Sequence, residues 1–232
     1  MPGAAADATL AARIAAQLHA AADPTRAPRM QAYMKSAMPY LGVPVPAVRS
    51  IVRAAARAAG PDGAVLLGTA RLMWDQAQYR EQWYAALELT GTRAALAAHD
   101  LDWLPFYDHV ATSGAWWDVV DACAHRICLL LRRHPGPMAE LLRTWSRDPD
   151  LWHRRLAIIG QLDAREHTDV QLLRECILVN AGDPEFFIRK AIGWALRQYA
   201  RTDPVWVRAF LAEHADVLSS LSIREAGRRL PR

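Results

Sequence analysis

The 232-residue chain lacks the features that would assign it to several common classes of protein. It has three cysteines, an odd number with no CxxC pair, so neither a disulfide framework nor a cysteine metal site is indicated. Its eight histidines are scattered and no HExxH spacing occurs, so no metal is predicted. No apolar run reaches roughly 18 residues, and the alanine-rich N-terminus has no basic start, so neither a transmembrane helix nor a signal peptide is expected. These absences predict a cytoplasmic protein with reduced thiols and without a metal or organic cofactor.

Lysine is almost absent from a chain that is nonetheless basic. Only Lys35 and Lys190 are lysines among the 28 basic residues, and the net charge is +4. The planar guanidinium of arginine fits phosphate oxygens better than the ammonium of lysine does. The charge therefore leans toward an acidic partner.

Helical periodicity runs along the whole sequence, with breaks at Asp-Pro, Gly-Thr and His-Pro-Gly sites. No alternating strand pattern and no long linker interrupt it. We predict one all-α domain over residues 1–232. The predicted helices are 8–22, 28–36, 46–59, 62–73, 77–90, 93–98, 101–112, 116–133, 136–146, 150–163, 168–180, 184–201, 204–214 and 222–229.

A repeat lies within this series of helices. An aromatic residue is followed five positions later by alanine in three places, offset by 35 and then 34 residues. The three copies are Trp117 with Ala122, Trp152 with Ala157, and Phe186 with Ala191. A period of this length is typical of an α-solenoid, whose concave side is a natural binding surface.

The repeat also places basic residues on corresponding helices. Arg154 and Arg155 follow Trp117 by about one period, and Arg189 and Lys190 follow by another. The concave surface is therefore predicted to be basic with aromatic residues set into it, which suits a phosphate backbone. The alternative is that these cations are solvated or pair with acids on neighbouring helices.

The segment from Ser113 to Asp121 contains two indoles and two carboxylates. On a helix Trp117 and Asp121 share one face, and an aromatic plane beside a carboxylate suits a cationic species. The alternative is that Trp117 belongs to the core while Asp121 caps a helix or pairs with an arginine. Trp116 and Asp118 lie on other faces and are predicted to serve packing and capping.

Four segments resemble the AlkD-type DNA glycosylases, bacterial alkylpurine repair enzymes built from HEAT-like repeats. The segments are Tyr33-Met34-Lys35 with Leu41-Gly42, Ser113 to Asp121, Trp152 to Ile158, and Phe186 to Arg197. The resemblance covers about Met30 to Arg229 and implies a HEAT-like helical-repeat solenoid.

The resemblance implies roles for individual residues. Asp121 matches the catalytic carboxylate, and Trp117 and Trp194 match two tryptophans that flank the deoxyribose of the lesion. Tyr33 matches an aromatic residue near the same backbone, and Arg155 matches an arginine that binds a DNA phosphate. The expected partner is double-stranded DNA containing N3- or N7-alkylated purines, bound by a monomer in the nucleoid-containing cytoplasm without flipping of the base.

The expected reaction is hydrolysis of the N-glycosidic bond. The alkylated purine is cationic and leaves readily, while a carboxylate near C1′ favours the oxocarbenium-like sugar. Because both Lys35 and Lys190 are expected to face phosphates, no Schiff base is predicted. The product would be an abasic site.

One loop departs from the family pattern, and two alternatives remain open. Pro44 and Val45 stand where the family tends to have polar residues near the DNA. An apolar loop would suit a bulky minor-groove adduct, as in self-resistance glycosylases of antibiotic producers. A non-catalytic helical-repeat module that binds DNA or a protein is the alternative from another class.

Overall fold

Helices make up every regular element of residues 5–230, the part of the chain that the computed structural model describes. The predicted all-α class is confirmed. The chain forms two compact units, Met1–His99 and Asp100–Arg232. The single domain predicted over residues 1–232 stays a prediction, and its ends at 1–4 and 231–232 lie outside the described residues.

The first unit is a helical cluster around the apolar face of its first helix. Its helices are α1 (Ala8–Ala20), α2 (Ala27–Met34), α3 (Val45–Ala59), α4 (Gly63–Asp75), α5 (Arg80–Thr90) and α6 (Arg93–Ala97). Leu10, Ile14 and Leu18 recur every four residues, so they form one stripe of α1. They are almost fully buried where α1 packs against α3 and α4.

The second unit carries most of the predicted site residues. It consists of a 3-10 turn (Leu101–Trp103), α7 (Leu104–Gly114), α8 (Trp117–Arg133), α9 (Pro135–Trp145), α10 (Leu151–Ile159), a second 3-10 turn (Arg165–His167), α11 (Val170–Leu178), α12 (Phe186–Tyr199), α13 (Pro204–Glu213) and α14 (Ser220–Gly227). Each predicted helix is present in the described residues.

The largest error in a helix boundary is the end of α10, predicted at Asp163 and found at Ile159. Turns follow instead, because the buried Gln161 side chain binds the backbone of Asp169 in both directions. Asp169 in turn caps α11. A side chain that pins one helix end to the start of the next gives no periodic signal in sequence.

The predicted repeat is confirmed in the second unit. Helices α8, α10 and α12 pack in succession as one row, and α9 and α11 pack behind them as a second row. Contacts recur at one repeat period: Cys176 contacts the carbonyl of Leu142, and Asn180 donates to the carbonyl of Ser146, each 34 residues away. The concave basic surface expected of the repeat stays a prediction.

Six further tryptophans pack among the helices. Trp74, Trp103, Trp145 and Trp152 are buried. Trp83 stacks on Trp74 at 4.5 Å between ring centroids, and Trp206 stacks on Phe210 at 4.9 Å. Large aromatic side chains thus supply much of the contact between helices.

Candidate active site

Asp121, the fifth residue of α8, is bound by Arg155, the fifth residue of α10. Arg155 donates from Nε to Oδ1 of Asp121 at 2.7 Å and from Nη2 to Oδ2 at 2.8 Å. Two parallel bonds between a guanidinium and a carboxylate are a strong and directional arrangement. Asp121 therefore pairs with an arginine, which is one of the two alternatives considered for it from the sequence. The partner is the arginine that the family resemblance assigns to DNA.

This ion pair lies largely out of solvent. The side chain of Arg155 is 6% exposed and that of Asp121 is 16% exposed. Burial raises the pKa of the Asp121 carboxyl above its ordinary value; the hydrogen bond and charge of Arg155 oppose the rise, and the charge of Asp118 adds to it. A carboxylate offers about four lone-pair positions, of which Arg155 uses two. Asp121 therefore keeps acceptor capacity on its exposed edge.

Arg155 also binds a third helix, α12. Its Nη1 donates to the carbonyl oxygen of Phe187 in the first turn of α12, and its guanidinium carbon lies 6.0 Å from the Phe187 ring centroid. The rings of Trp116, Trp152 and Phe187 pack beside it with centroids 5.2 to 6.1 Å apart. Trp116 is therefore a packing residue, as predicted. One arginine joins α8, α10 and α12 near their N-terminal ends.

The two candidate tryptophans are half-buried and lie on different helices. Trp117 is the first residue of α8, one turn before Asp121, so the two share a face as predicted. Trp194 lies on α12, where it packs against the buried core of the second unit. An indole held by a core on one side and exposed on the other can present a face to a ligand.

Two of the three remaining basic candidates of the second unit pair with acids. Arg154 pairs with Asp183 at 3.1 Å, and Lys190 pairs with Glu225 at 2.9 Å. Arg189 has its Nε buried without a hydrogen-bond partner among the described residues. Lys190 thus pairs with an acid of a neighbouring helix, the alternative considered from the sequence, and Arg154 pairs with an acid in the loop before α12. Their role in DNA binding stays a prediction.

Glu225 on α14 is a buried carboxylate that sequence reasoning missed. It is 3% exposed and contacts Lys190 at 2.9 Å, Arg197 at 2.7 Å and Arg228 at 3.0 Å. Burial opposes its ionisation, but the hydrogen bond from Lys190 and the three positive charges hold the pKa of this carboxyl below its usual range. The spacing of Lys190, Trp194 and Arg197 along one helical stripe was the available signal.

The candidates of the first unit are exposed at the end of α2. Tyr33, in the last turn, is 77% exposed. Lys35 is exposed and caps the helix in the left-handed conformation with φ of 50°. Both side chains are accessible to a macromolecular partner.

The loop after α2 is held by a second carboxylate that sequence reasoning missed. The fully buried Glu81 accepts the backbone N–H groups of residues 41–43 at 2.8 to 3.1 Å. Residues 44–46 follow as exposed Pro, Val and Pro at the start of α3. The apolar loop noted in the sequence is therefore a fixed structure.

Residues 5–230 include no cluster of three or more His, Cys, Asp or Glu side chains arranged to hold a metal ion. No helix among them is long and apolar enough to cross a membrane.

The fold and this geometry define an all-helical repeat protein whose candidate reactive group is an arginine-bound carboxylate. The profile of the DNA alkylation repair enzyme family matches residues 14–230, and the chain belongs to that family. A solved structure described as a predicted DNA alkylation repair enzyme from Enterococcus faecalis is similar, with a TM-score of 0.78 and 30% identity over 91% of this chain and 97% of that chain. No curated protein matches the chain. The AlkD-type resemblance is confirmed, and with it a role in the repair of alkylated DNA.

Proposed function

We propose that the protein is a DNA glycosylase that hydrolyses the N-glycosidic bond of cationic N3- or N7-alkylated purines in duplex DNA. The observation that carries this proposal is the Asp121 carboxylate, which accepts hydrogen bonds from Nε and Nη2 of Arg155. It lies one helical turn from the half-buried Trp117. A carboxylate held still at a partly exposed edge is suited to stabilise positive charge on a sugar.

The reaction begins with a leaving group that alkylation has already activated. The bond from C1′ to the purine nitrogen breaks, and its electron pair neutralises the cationic base. The deoxyribose becomes an oxocarbenium-like cation, which Asp121 stabilises. Water adds to C1′ and releases a proton, and the product is an abasic site. The electron-rich faces of Trp117 and Trp194 favour the same cation.

Arg155 has two tasks in this proposal. It fixes the orientation of Asp121 and favours the ionised carboxylate despite burial. Three of its five N–H groups bind Asp121 and Phe187, so two remain for a DNA phosphate.

The same arrangement explains a preference for cationic purines. A neutral purine leaves only after protonation by a general acid. Asp121 accepts two charged hydrogen bonds, so it acts as an ionised group and donates no proton. Selectivity then comes from the leaving group, without flipping of the base into a pocket. No lyase step is part of the proposal, because Lys190 is engaged by Glu225 and Lys35 is exposed to solvent, whereas a Schiff-base lysine is desolvated.

The test measures release of 7-methylguanine from a methylated duplex by the wild type, Asp121→Asn and Asp118→Asn. Asp118→Asn is a matched control because it removes the same charge from the first turn of the same helix. We expect Asp121→Asn to slow release by about 10²- to 10³-fold, a typical loss for one electrostatic group. Asp118→Asn should retain near wild-type release at neutral pH.

Two results would contradict the proposal. Absence of release by the folded wild type would exclude the glycosylase activity. Equal release by Asp121→Asn would remove Asp121 from the reaction. Circular dichroism of each variant verifies that Arg155 without its partner has not unfolded the protein.

A second duplex in the same assay, carrying a bulky minor-groove adduct, addresses the self-resistance alternative. The observation that favours it is the exposed apolar loop, in which Val45 is 40% exposed. Faster excision from the bulky duplex than from methylated DNA would favour that specialisation, and much slower excision would exclude it. Binding without any abasic product would favour the non-catalytic module.

A further inference from the structure

An open cleft of about 550 Å³ lies beside Trp194, outside the Asp121–Arg155 pair. Its lining side chains are mostly arginines from α12, from the turn after it and from the segment at the end of α14. They are Trp194, Arg197, Gln198, Arg201, Arg228 and Arg229. Four guanidinium groups around one aromatic ring point to an anionic ligand.

Two of these arginines are fixed in place. Arg197 and Arg228 both bind the buried Glu225, which also binds Lys190. One carboxylate therefore holds three cations together, and the group keeps two positive charges. Arg201 and Arg229 are exposed and bring further positive charge to the same cleft. The cluster has more positive charge than its buried acid can neutralise.

The net charge of this cluster equals that of the whole chain. It contains five cations, Lys190, Arg197, Arg201, Arg228 and Arg229, and one acid, Glu225. Taking five from the 28 basic residues and one from the 24 acidic residues leaves 23 of each. The cluster itself therefore carries a net charge of +4, and a concentrated positive field attracts polyanions.

The cluster is also linear. Lys190, Trp194 and Arg197 follow one another at helical spacing along a single stripe of α12, and Arg201 lies in the turn just after the helix. The seven residue steps from Lys190 to Arg197 span about 10 Å of helix, and Arg201 extends the track beyond the helix end. A track of this length, with an indole between its cations, fits a nucleic-acid strand better than a single free ion.

We propose that this cleft is a binding site for the phosphate backbone of duplex DNA, with Arg201 and Arg229 as its exposed contacts and Glu225 as the residue that positions Lys190, Arg197 and Arg228. The inference rests on the proposed function for its choice of partner. It assigns DNA contacts to Arg201 and Arg229 and a positioning role to Glu225, three residues that neither the motifs nor the family resemblance single out.

The test measures binding of a fluorescently labelled, undamaged duplex by anisotropy over a range of salt concentrations. The test variant is Arg201→Ala with Arg229→Ala, which leaves the three cations on Glu225 in place. The matched control is Arg132→Ala with Arg147→Ala. It removes the same charge from exposed residues at the C-terminal end of α8 and after α9.

Loss of two phosphate contacts should lower the slope of log K against log salt by about two. We expect the test variant to bind on the order of tenfold or more weakly at 0.1 M salt, and the control to stay within about twofold of the wild type. Equal slopes and affinities for the test variant and the wild type would overturn the inference. So would a wild type that fails to bind the duplex.

The use of undamaged DNA separates this inference from the proposed function. A wild type that binds through the cleft and releases no base would leave the inference standing and contradict the glycosylase proposal. Normal base release with an unchanged salt slope in the test variant would contradict the inference and leave the glycosylase proposal standing.

Discussion

Asp121 and Arg155 alter each other's chemistry. A buried carboxylate without a partner takes up a proton and loses the negative charge that a cationic sugar needs. The guanidinium of Arg155 opposes that protonation, but it makes the pair neutral when viewed from a distance. The field of the pair is then strong only close to the exposed edge of Asp121. The reacting C1′ must therefore lie near contact distance of this carboxylate.

The pH dependence of excision should report the ionisation of Asp121. Its pKa is raised above the ordinary value, mainly by burial, and the reaction requires the carboxylate. The rate should thus fall as the pH is lowered through a midpoint above that of an ordinary aspartate. Asp118→Asn removes a like charge that raises this pKa, so its midpoint should shift to lower pH.

Single-turnover release of 7-methylguanine, measured across pH, provides this comparison. Reactions without enzyme correct for acid-catalysed depurination, and circular dichroism establishes the pH range in which the protein stays folded. A midpoint at or below that of an ordinary aspartate would contradict the assignment. So would a shift to higher pH in Asp118→Asn.

Which contacts of the site can be predicted from the sequence depends on how far apart the two residues lie along the chain. Trp117 and Asp121 are neighbours by helical spacing alone, so their shared face was predictable. The separation between Asp121 and Arg155 equals the repeat period, so their proximity was available in principle from the repeat. For Glu225 the signal was incomplete: the cations on one stripe of α12 indicate an acidic partner, but they do not indicate that it lies on α14.

At the scale of the helix and its loop, Glu81 decides the path of the chain into α3. Its carboxylate accepts three backbone N–H groups from residues 41–43 in a buried setting. Glu81→Gln would place an amide NH2 against one or more of these donors and leave them unsatisfied. We expect it to lower the free energy of unfolding by roughly 2–3 kcal/mol, measured by urea denaturation.

Glu88→Gln is the control on the same helix, α5. Glu88 pairs with Arg49, whose side chain is 46% exposed, so this loss should cost less than about 1 kcal/mol. Equal stabilities of the two variants would show that Glu81 does not hold the loop.

Helices were predictable because their breaks are local. Asp62, Asp150, Asp169 and Asp203 each cap the helix that follows, and the sequence places an aspartate at each of these sites. The buried partners of the loop at residues 41–43 lie about 40 positions away in the sequence. Local patterns therefore predicted the elements, but not the buried groups that position the loop between α2 and α3.

At the scale of the whole molecule, two buried thiols report on unfolding. Cys123 and Cys176 are at most 1% exposed, and burial raises the pKa of each to about 12. Only the thiolate reacts with iodoacetamide, so the native protein should leave both cysteines unlabelled near pH 8. Cys128 is less suitable because it lines a surface cleft of about 320 Å³. Labelling of Cys123 and Cys176 should then follow the unfolded fraction.

Binding of DNA to the folded protein should slow this labelling. A ligand specific to the folded state at about 100 times its Kd adds about 2.7 kcal/mol of stability and lowers the unfolded fraction about 100-fold. We expect undamaged duplex to slow labelling of Cys123 and Cys176 in mild urea, measured by peptide mass mapping. The variant with Arg201→Ala and Arg229→Ala should be protected less at the same DNA concentration, because its Kd is higher. Rapid labelling of native Cys123, or no protection of the wild type at saturating duplex, would contradict this link between unfolding and DNA binding.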